Sequence, residues 1–442
     1  MAVRVPDAIR RVRSATLGRP RLPARLSPRR ARLPAPFRVL AIFALLGPGL
    51  IAANAGNDAG GIATYSSVGA KYGYQLLWLM VLITISLALV QMLAARMGVV
   101  TGKGLAELIR EEYGIRWSVL ATSAVLLANM GICISDFVGV GAALGLAGIP
   151  AQVSVPIAAV GIWTIIVRGS YRSAERTFIW LTIPFFAYPL AAILAGPDWM
   201  EVGKAIVSPQ IQGGSTYLLL VIATAGTTIT PYMQLYLQSA VVERGAREED
   251  LPHEEREAVA GAVFANLIAC FIIIATGTTL FKHGIHEVGS AADAARALSP
   301  FAGSYAEALF GIGLLGASLL ACAILPIATS YVVSESLGYE KGIGRRREEA
   351  PVFVSLITGM IAIGAIVGMI PGVPVIALLV GVQVVNGLLL PINLAFIWLL
   401  SRSRRVMGER RNKGVLDGVA AITVAITSAL SLALVAVTVL GL

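Results

Sequence analysis

Apolar blocks recur along this chain, each long enough to cross roughly 30 Å of hydrocarbon as a helix, for which about 18–25 residues suffice. They lie at about 39–66, 74–98, 117–146, 152–168, 177–196, 215–241, 258–281, 302–337, 351–370, 374–400 and 415–441. A chain built this way is an all-α polytopic membrane protein. With 57% apolar and only 14% charged residues, its 442 residues fill one bundle of eleven spans rather than two or three soluble domains.

The formal charge of +10 invites a nucleic-acid reading, but the positions of the charges refuse it. With a cytoplasmic N-terminus, the outer loops carry only Lys71, Lys204, Lys282 and Arg296. The other 31 of 35 Lys and Arg fall at the inner side, as the positive-inside rule requires. The C-terminus is then outside, and the lipid bilayer, not nucleic acid, is the expected partner. Residues 1–38 hold eleven Arg and one acid, Asp7, and read as a disordered basic tail. An Arg-rich, acid-poor start also marks transit peptides, although the tail lacks amphipathic order. It also lacks the apolar region of a secretory signal. The expected organisation is a tail at 1–38, ten core spans at 39–400, and a basic loop with an eleventh span at 401–442.

Spans 1 and 6 are interrupted. Span 1 carries Gly56-Asn57-Asp58-Ala59-Gly60-Gly61, and span 6 carries Gly226-Thr227-Thr228-Ile229-Thr230-Pro231. Glycine loosens a helix and proline removes a backbone donor. Open backbone at that depth survives only inside protein or beside a wet cavity. Two breaks five spans apart are what inverted repeats of five helices produce, here about 39–196 and 215–400, with substrate bound at the breaks.

Asp58 leads the candidate residues. An acid at a helix centre costs about 2.5–3.5 kcal/mol on insertion scales and usually faces a transport cavity. Beside freed carbonyls, Gly56 among them, it makes a hard-oxygen cation site. The plainer alternative is a carboxylate satisfied by backbone N–H groups. Thr227 and Thr230 at the opposite break either complete an oxygen cage or bond back to the preceding turn. Gln383 in span 10 either ligates, directly or through water, or bonds a neighbouring helix. Asp136 in span 3 either relays protons or holds the bundle together. Glu335, at the inner end of span 8, is expected at an aqueous vestibule. His253, His283 and His286 are all expected in loops, so the membrane interior holds no histidine. Cys133, Cys270 and Cys322 lie inside spans without zinc or disulfide spacing and read as packing residues. Neither a phosphate-binding loop nor a hydrolase motif occurs. The chain is expected to be no enzyme, to carry no cofactor and to need no obligatory protein partner.

These residues resemble the NRAMP divalent-metal transporters. The likeness is carried by GPGLIAANAGNDAGG (47–61), GAKYGYQLLW (69–78), LAARMGVVTGKGLAE (93–107), LYLQSAVVERG (235–245) and the stretch from Gln383 to Pro391. It implies a LeuT-type fold, in agreement with the inverted repeats. Departures from the family pattern are instructive. Where the family has Asp-Pro-Gly-Asn, this chain has Asp58-Ala59-Gly60-Gly61, so Gly61 replaces a ligating Asn. Where the family has Met-Pro-His, this chain has Thr230-Pro231-Tyr232, with Met233 and an insertion near Gln234 following. Of the family's acidic pair in span 3 only Asp136 remains, and Gly139 takes the Glu position. Loss of a thioether removes a bias toward softer metals. A roomy one-carboxylate site suits Mg²⁺, which retains its waters. The pattern resembles the NRAMP-related magnesium transporter branch and implies uptake of Mg²⁺ and Mn²⁺ by alternating access without proton coupling. The resemblance leaves two alternatives: a proton-coupled Mn²⁺ or Fe²⁺ importer of standard type, and an organic-substrate carrier on the same fold.

Overall fold

In a computed structural model, the structure describes residues 56–169, 177, 183–296, 306–343 and 345–440. The basic tail, the first half of span 1 and part of span 5 lie outside them. The helices of eight or more residues are α1 (Ala59–Tyr72), α2 (Leu77–Thr101), α3 (Leu105–Tyr113), α4 (Ile115–Gly145), α5 (Ala151–Arg168), α6 (Ala187–Leu194) and α7 (Trp199–Val207). They continue with α8 (Ser215–Thr228), α9 (Pro231–Glu243), α10 (Leu251–Thr279), α11 (Ala306–Leu337), α12 (Pro351–Gly368), α13 (Val375–Arg402) and α14 (Val415–Leu440). Nine helical segments among the described residues are long and apolar enough to cross a membrane, α8 and α9 together forming one of them. Outward faces remain greasy, with Leu127, Ile157, Val160 and Leu432 all more than 60% exposed. Lipid is the solvent that such a surface requires.

The break in span 6 falls where the sequence places it, and the helical part of span 1 that is described starts at the expected residue. α1 starts only at Ala59, capped by Asp58. α8 stops at Thr228 and α9 restarts at Pro231. Proline there has no N–H to offer the carbonyl of Thr227, four residues back, so the helical ladder cannot continue. α1 packs against α10, α13, α8 and α4, while α13 packs along α8. The α8–α13 crossing is close because Gly226 and Gly387 face each other. A side chain on Gly387 would meet the Ile222 carbonyl at 2.6 Å and the Gly226 Cα at 3.4 Å. Small residues permit this approach, as they do at many intramembrane helix contacts. The eleventh span, α14, lies against α13, and Ser431 Oγ donates to the Gly387 carbonyl at 3.2 Å.

Three details differ from the sequence reading. α3 and α7 are short helices in segments read as loops. α3 buries Leu105, Ala106, Leu108 and Ile109 on one face, while α7 is capped by Asp198, which accepts from Met200 N and Glu201 N. α10 begins at Leu251, well before the apolar block, so His253 is helical rather than in a loop. The early turns hold because Glu254 and Glu257 pair with Arg244 at 2.7 and 3.6 Å, which lets a polar helix extend past the hydrocarbon. His283 ends a single 3-10 turn (Phe281–His283) that follows α10, and His286 lies in the segment after it.

Candidate metal centre at the helix breaks

Asp58 ends the irregular segment before α1, and its carboxylate folds over the helix start. Oδ1 accepts the Gly61 N–H at 2.6 Å. Capping of this kind satisfies a donor that the first turn leaves open, and the helix dipole favours a negative charge there. A second carboxylate reaches the same helix start from α4: Asp136 Oδ1 accepts the Ala59 N–H at 3.0 Å. Asp136 Oδ2 is buried and has no hydrogen-bond partner. The plainer reading of Asp58 is therefore realised in part, because one backbone N–H does hold it. Gln383 does the rest. Its amide nitrogen donates to Oδ1 at 3.0 Å and to Oδ2 at 3.1 Å, crossing from α13 to α1.

From the opposite break, Thr227 Oγ1 approaches the Gly56 carbonyl at 3.4 Å, so the two interruptions meet. Gly61 marks where they meet. A Cβ added at Gly61 would lie 2.7 Å from Gly56 O, 2.9 Å from Thr227 Oγ1 and 3.3 Å from Asp58 Oδ1. Three oxygens thus converge beside Gly61, an approach that residue 61 permits because it has no side chain. Asp58, Thr227, Thr230, Gln383, Asp136, Tyr232 and Met233 are all fully buried, so the site is closed. That differs from the roomy site facing a transport cavity that the sequence suggests. The Gln383 amide now bridges the carboxylate, as a cation would.

Three candidate ligands turn no oxygen toward the site, Thr230 and Gln383 by taking the second of the two roles that the sequence left open for each. Gly61 contributes its N–H and the close approach that a missing side chain allows; its carbonyl lies within continuous helix and is not freed. Thr230 turns its hydroxyl onto the Thr227 carbonyl at 2.7 Å, replacing the donor that Pro231 lacks, and is not one of the three oxygens beside Gly61. Gln383 presents its N–H₂ rather than its carbonyl to Asp58, since a carboxylate can only accept. Met233 moves the other way. Its sulfur lies 3.1 Å from where a Gly56 Cβ would be, and the Gln91 amide donates to it at 3.7 Å. A thioether therefore does stand at the site wall, supplied from beyond the proline. Tyr232 occupies the first turn of α9 beside it.

Gly139, at the position of the missing Glu, touches the site through its neighbours. A Cβ there would come within 2.5 Å of the Ala59 Cβ and 2.6 Å of Ser318 Oγ, so a larger side chain has no room. Asn386 was not anticipated. Its amide donates to the Gly226 carbonyl at 2.6 Å, satisfying another acceptor released by the break. Its position three residues after Gln383, on the same helical face, is the signal that points to it. Tyr65, whose hydroxyl meets that of Thr228 at 2.8 Å, likewise ties the two broken spans together. Among the described residues no three His, Cys, Asp or Glu side chains gather as a metal cage.

Similarity to known proteins agrees with this architecture. The family model described as natural resistance-associated macrophage protein-like (Nramp) matches residues 49–437. The divalent metal cation transporter MntH of Bacillus subtilis is 30% identical over 389 residues, covering 85% of this chain and 87% of its own length. The protein of the same name from Deinococcus radiodurans is 28% identical over 340 residues, covering 74% of this chain and 77% of its own. Among solved structures, a manganese transporter of Eremococcus coleocola superposes with a TM-score of 0.73 at 22% identity, covering 91% of this chain and 88% of that one. Mhp1, a nucleobase-cation-symport-1 family transporter, superposes at 0.56 and 13% identity, covering 88% and 90%. These superpositions define the architecture as the LeuT-type fold. With the helix start at Asp58 and the break before Pro231 in place, and the family pattern running through nearly the whole chain, this protein belongs to the Nramp family.

Proposed function

We propose that this protein imports Mn²⁺ and Mg²⁺ by alternating access, with its basic loops in the cytoplasm and without proton coupling, as a member of the NRAMP-related magnesium transporter branch. The reading rests on one observation: Asp58 Oδ1, Gly56 O and Thr227 Oγ1 converge beside Gly61, where the two interrupted segments meet. Hard oxygens and one carboxylate suit an ion that keeps part of its water. For an ion to bind, the Gln383 amide must leave the carboxylate, and rotation of that side chain turns its carbonyl oxygen toward the ion. A negative-inside potential draws a divalent ion inward by about 4.6 kcal/mol per 100 mV, twice the roughly 2.3 kcal/mol per charge.

Met233 sharpens the specificity argument. One sulfur beside three oxygens keeps Mn²⁺ competitive with the more abundant hard cations. Met233→Leu retains the volume and removes the sulfur. It should lower Mn²⁺ uptake relative to Mg²⁺ in proteoliposomes by about tenfold, equivalent to about 1.4 kcal/mol. An unchanged ratio would place the sulfur off the ion's route.

The uncoupled reading is supported by Tyr232, not histidine, following Pro231 and by the packing at Gly139, where a side chain has no room. Metal uptake should leave an enclosed pH dye unchanged. One observation favours the proton-coupled alternative, namely the unpartnered Oδ2 of Asp136. Acidification that parallels uptake and disappears in Asp136→Asn would establish that alternative.

A further inference from the structure

The second half of span 6 links the metal centre to another acidic place. On α9, Tyr232, Tyr236, Ser239 and Glu243 follow one another at spacings of four, three and four, and so share a face. From Pro231 to Glu243 this face descends about 18 Å at about 1.5 Å per residue. At its foot is a cavity of about 240 Å³, lined by Ser239, Glu243, Tyr331, Glu335, Lys341 and Arg345 among others. Basic loops mark this end of the bundle, which the proposed orientation turns toward the cytoplasm.

Glu335 dominates the cavity wall. It is only 4% exposed, although it sits at the last turn of α11. Oε1 accepts from Ser239 Oγ at 3.0 Å and from the Lys341 ammonium at 2.9 Å, and Oε2 has no partner. The hydroxyl of Tyr331, on the same wall, is also buried and unpartnered. Lys341 arrives from the α11–α12 loop and also approaches Glu107 Oε2 of α3 at 3.6 Å. That loop is fixed a second time by Glu243, whose Oε1 accepts the Ile343 N–H at 3.1 Å. Two carboxylates from different helices thus converge on one ammonium, which is only a side chain's reach from solvent. Gly104 completes the fit, since a side chain there would overlap the Glu335 carboxylate.

We infer that Glu335 and Glu107 form a second divalent-cation station at the cytoplasmic mouth, and that Lys341 fills it as a tethered counter-ion whenever the mouth is shut. The station rests on the reading of the chain as a divalent-cation importer. Two carboxylates with water and a serine hydroxyl are a typical ligand set for Mg²⁺ or Mn²⁺. Two positive groups cannot share it, because both would compete for the same buried charge. An ion leaving Asp58 would pause there as the loop swings away. Return of Lys341 would then expel the ion and close the exit, linking release to closure.

Equilibrium dialysis of the purified full chain against Mn²⁺ tests this by difference. Lys341→Met should bind one more Mn²⁺ per chain than wild type, and Lys341→Met with Glu335→Gln should lose that additional ion. Lys341→Arg should behave as wild type. An equal count in Lys341→Met and wild type would overturn the station. The comparison is independent of the central site: if wild type binds no ion, the reading of Asp58 fails, while the increment still decides the vestibule. Removing Lys341 leaves a buried carboxylate unpaired and weakens the fold. Thermal unfolding therefore gives a second readout: Mn²⁺ should raise the melting temperature of Lys341→Met more than that of wild type. Equal Mn²⁺ responses would also refute the proposal.

Discussion

Asp58→Ala is expected to reduce Mn²⁺ and Mg²⁺ uptake into proteoliposomes at least about a hundredfold, or on the order of 3 kcal/mol at about 1.4 kcal/mol per decade. A divalent ion held in the closed site would sit away from bulk water, and Asp58 would supply the negative charge among the three oxygens that converge beside Gly61. Breaking a buried charge pair by deleting one partner is strongly destabilising, about 3–5 kcal/mol, which sets this scale. The alanine also removes the N-cap of α1, worth about 0.5–2 kcal/mol, so loss of transport alone could reflect a loosened helix. Asp58→Asn separates the two effects. Asparagine caps as well as aspartate but carries no charge, so it should leave thermal stability nearly unchanged and transport as low as in Asp58→Ala. Substantial Mn²⁺ flux through Asp58→Asn would remove the carboxylate from the mechanism.

Gly226→Val should yield little folded protein. A Cβ at residue 226 would overlap the backbone of α13 at Gln383 and Gly387, and a backbone cannot turn aside as a side chain can. Overpacking a tight contact costs about 1–3 kcal/mol when side chains can adjust, and more is expected when two helix axes must part. The displaced helix is the one that carries Gln383 and Asn386, so any surviving protein should also transport poorly. Gly161→Val on α5 is the control, because nothing lies within 4 Å of its Cβ position. Its detergent-solubilised melting temperature should stay close to wild type while that of Gly226→Val collapses. Similar melting temperatures for the two variants would mean that α8 and α13 do not touch at this point.

The correspondence between sequence and structure follows the range of each physical constraint. Helix positions were readable because hydrocarbon thickness fixes the length of every spanning block. α2 and α5 fall within a few residues of their blocks. The break in span 6 and the helix start at Asp58 were readable as well, since glycine and proline act on their own backbone and need no distant partner. Polar helix turns were not: α3 and the start of α10 have no block of membrane length, and the latter is held by Arg244 from another helix.

At the site, the chain alone determined that an acid and a proline break lie at membrane depth in paired positions, because insertion cost and the missing proline N–H are local properties. Only the tertiary structure decided which atoms converge beside Gly61. Thr230 turned to the nearest orphaned carbonyl, Thr227 O, and Met233 reached Gly56 from beyond the proline. The first outcome is a choice between two local readings; the second depends on how segments separated by about 170 residues are brought together. Contacts of that kind are set by packing, and neighbours along the chain do not encode them.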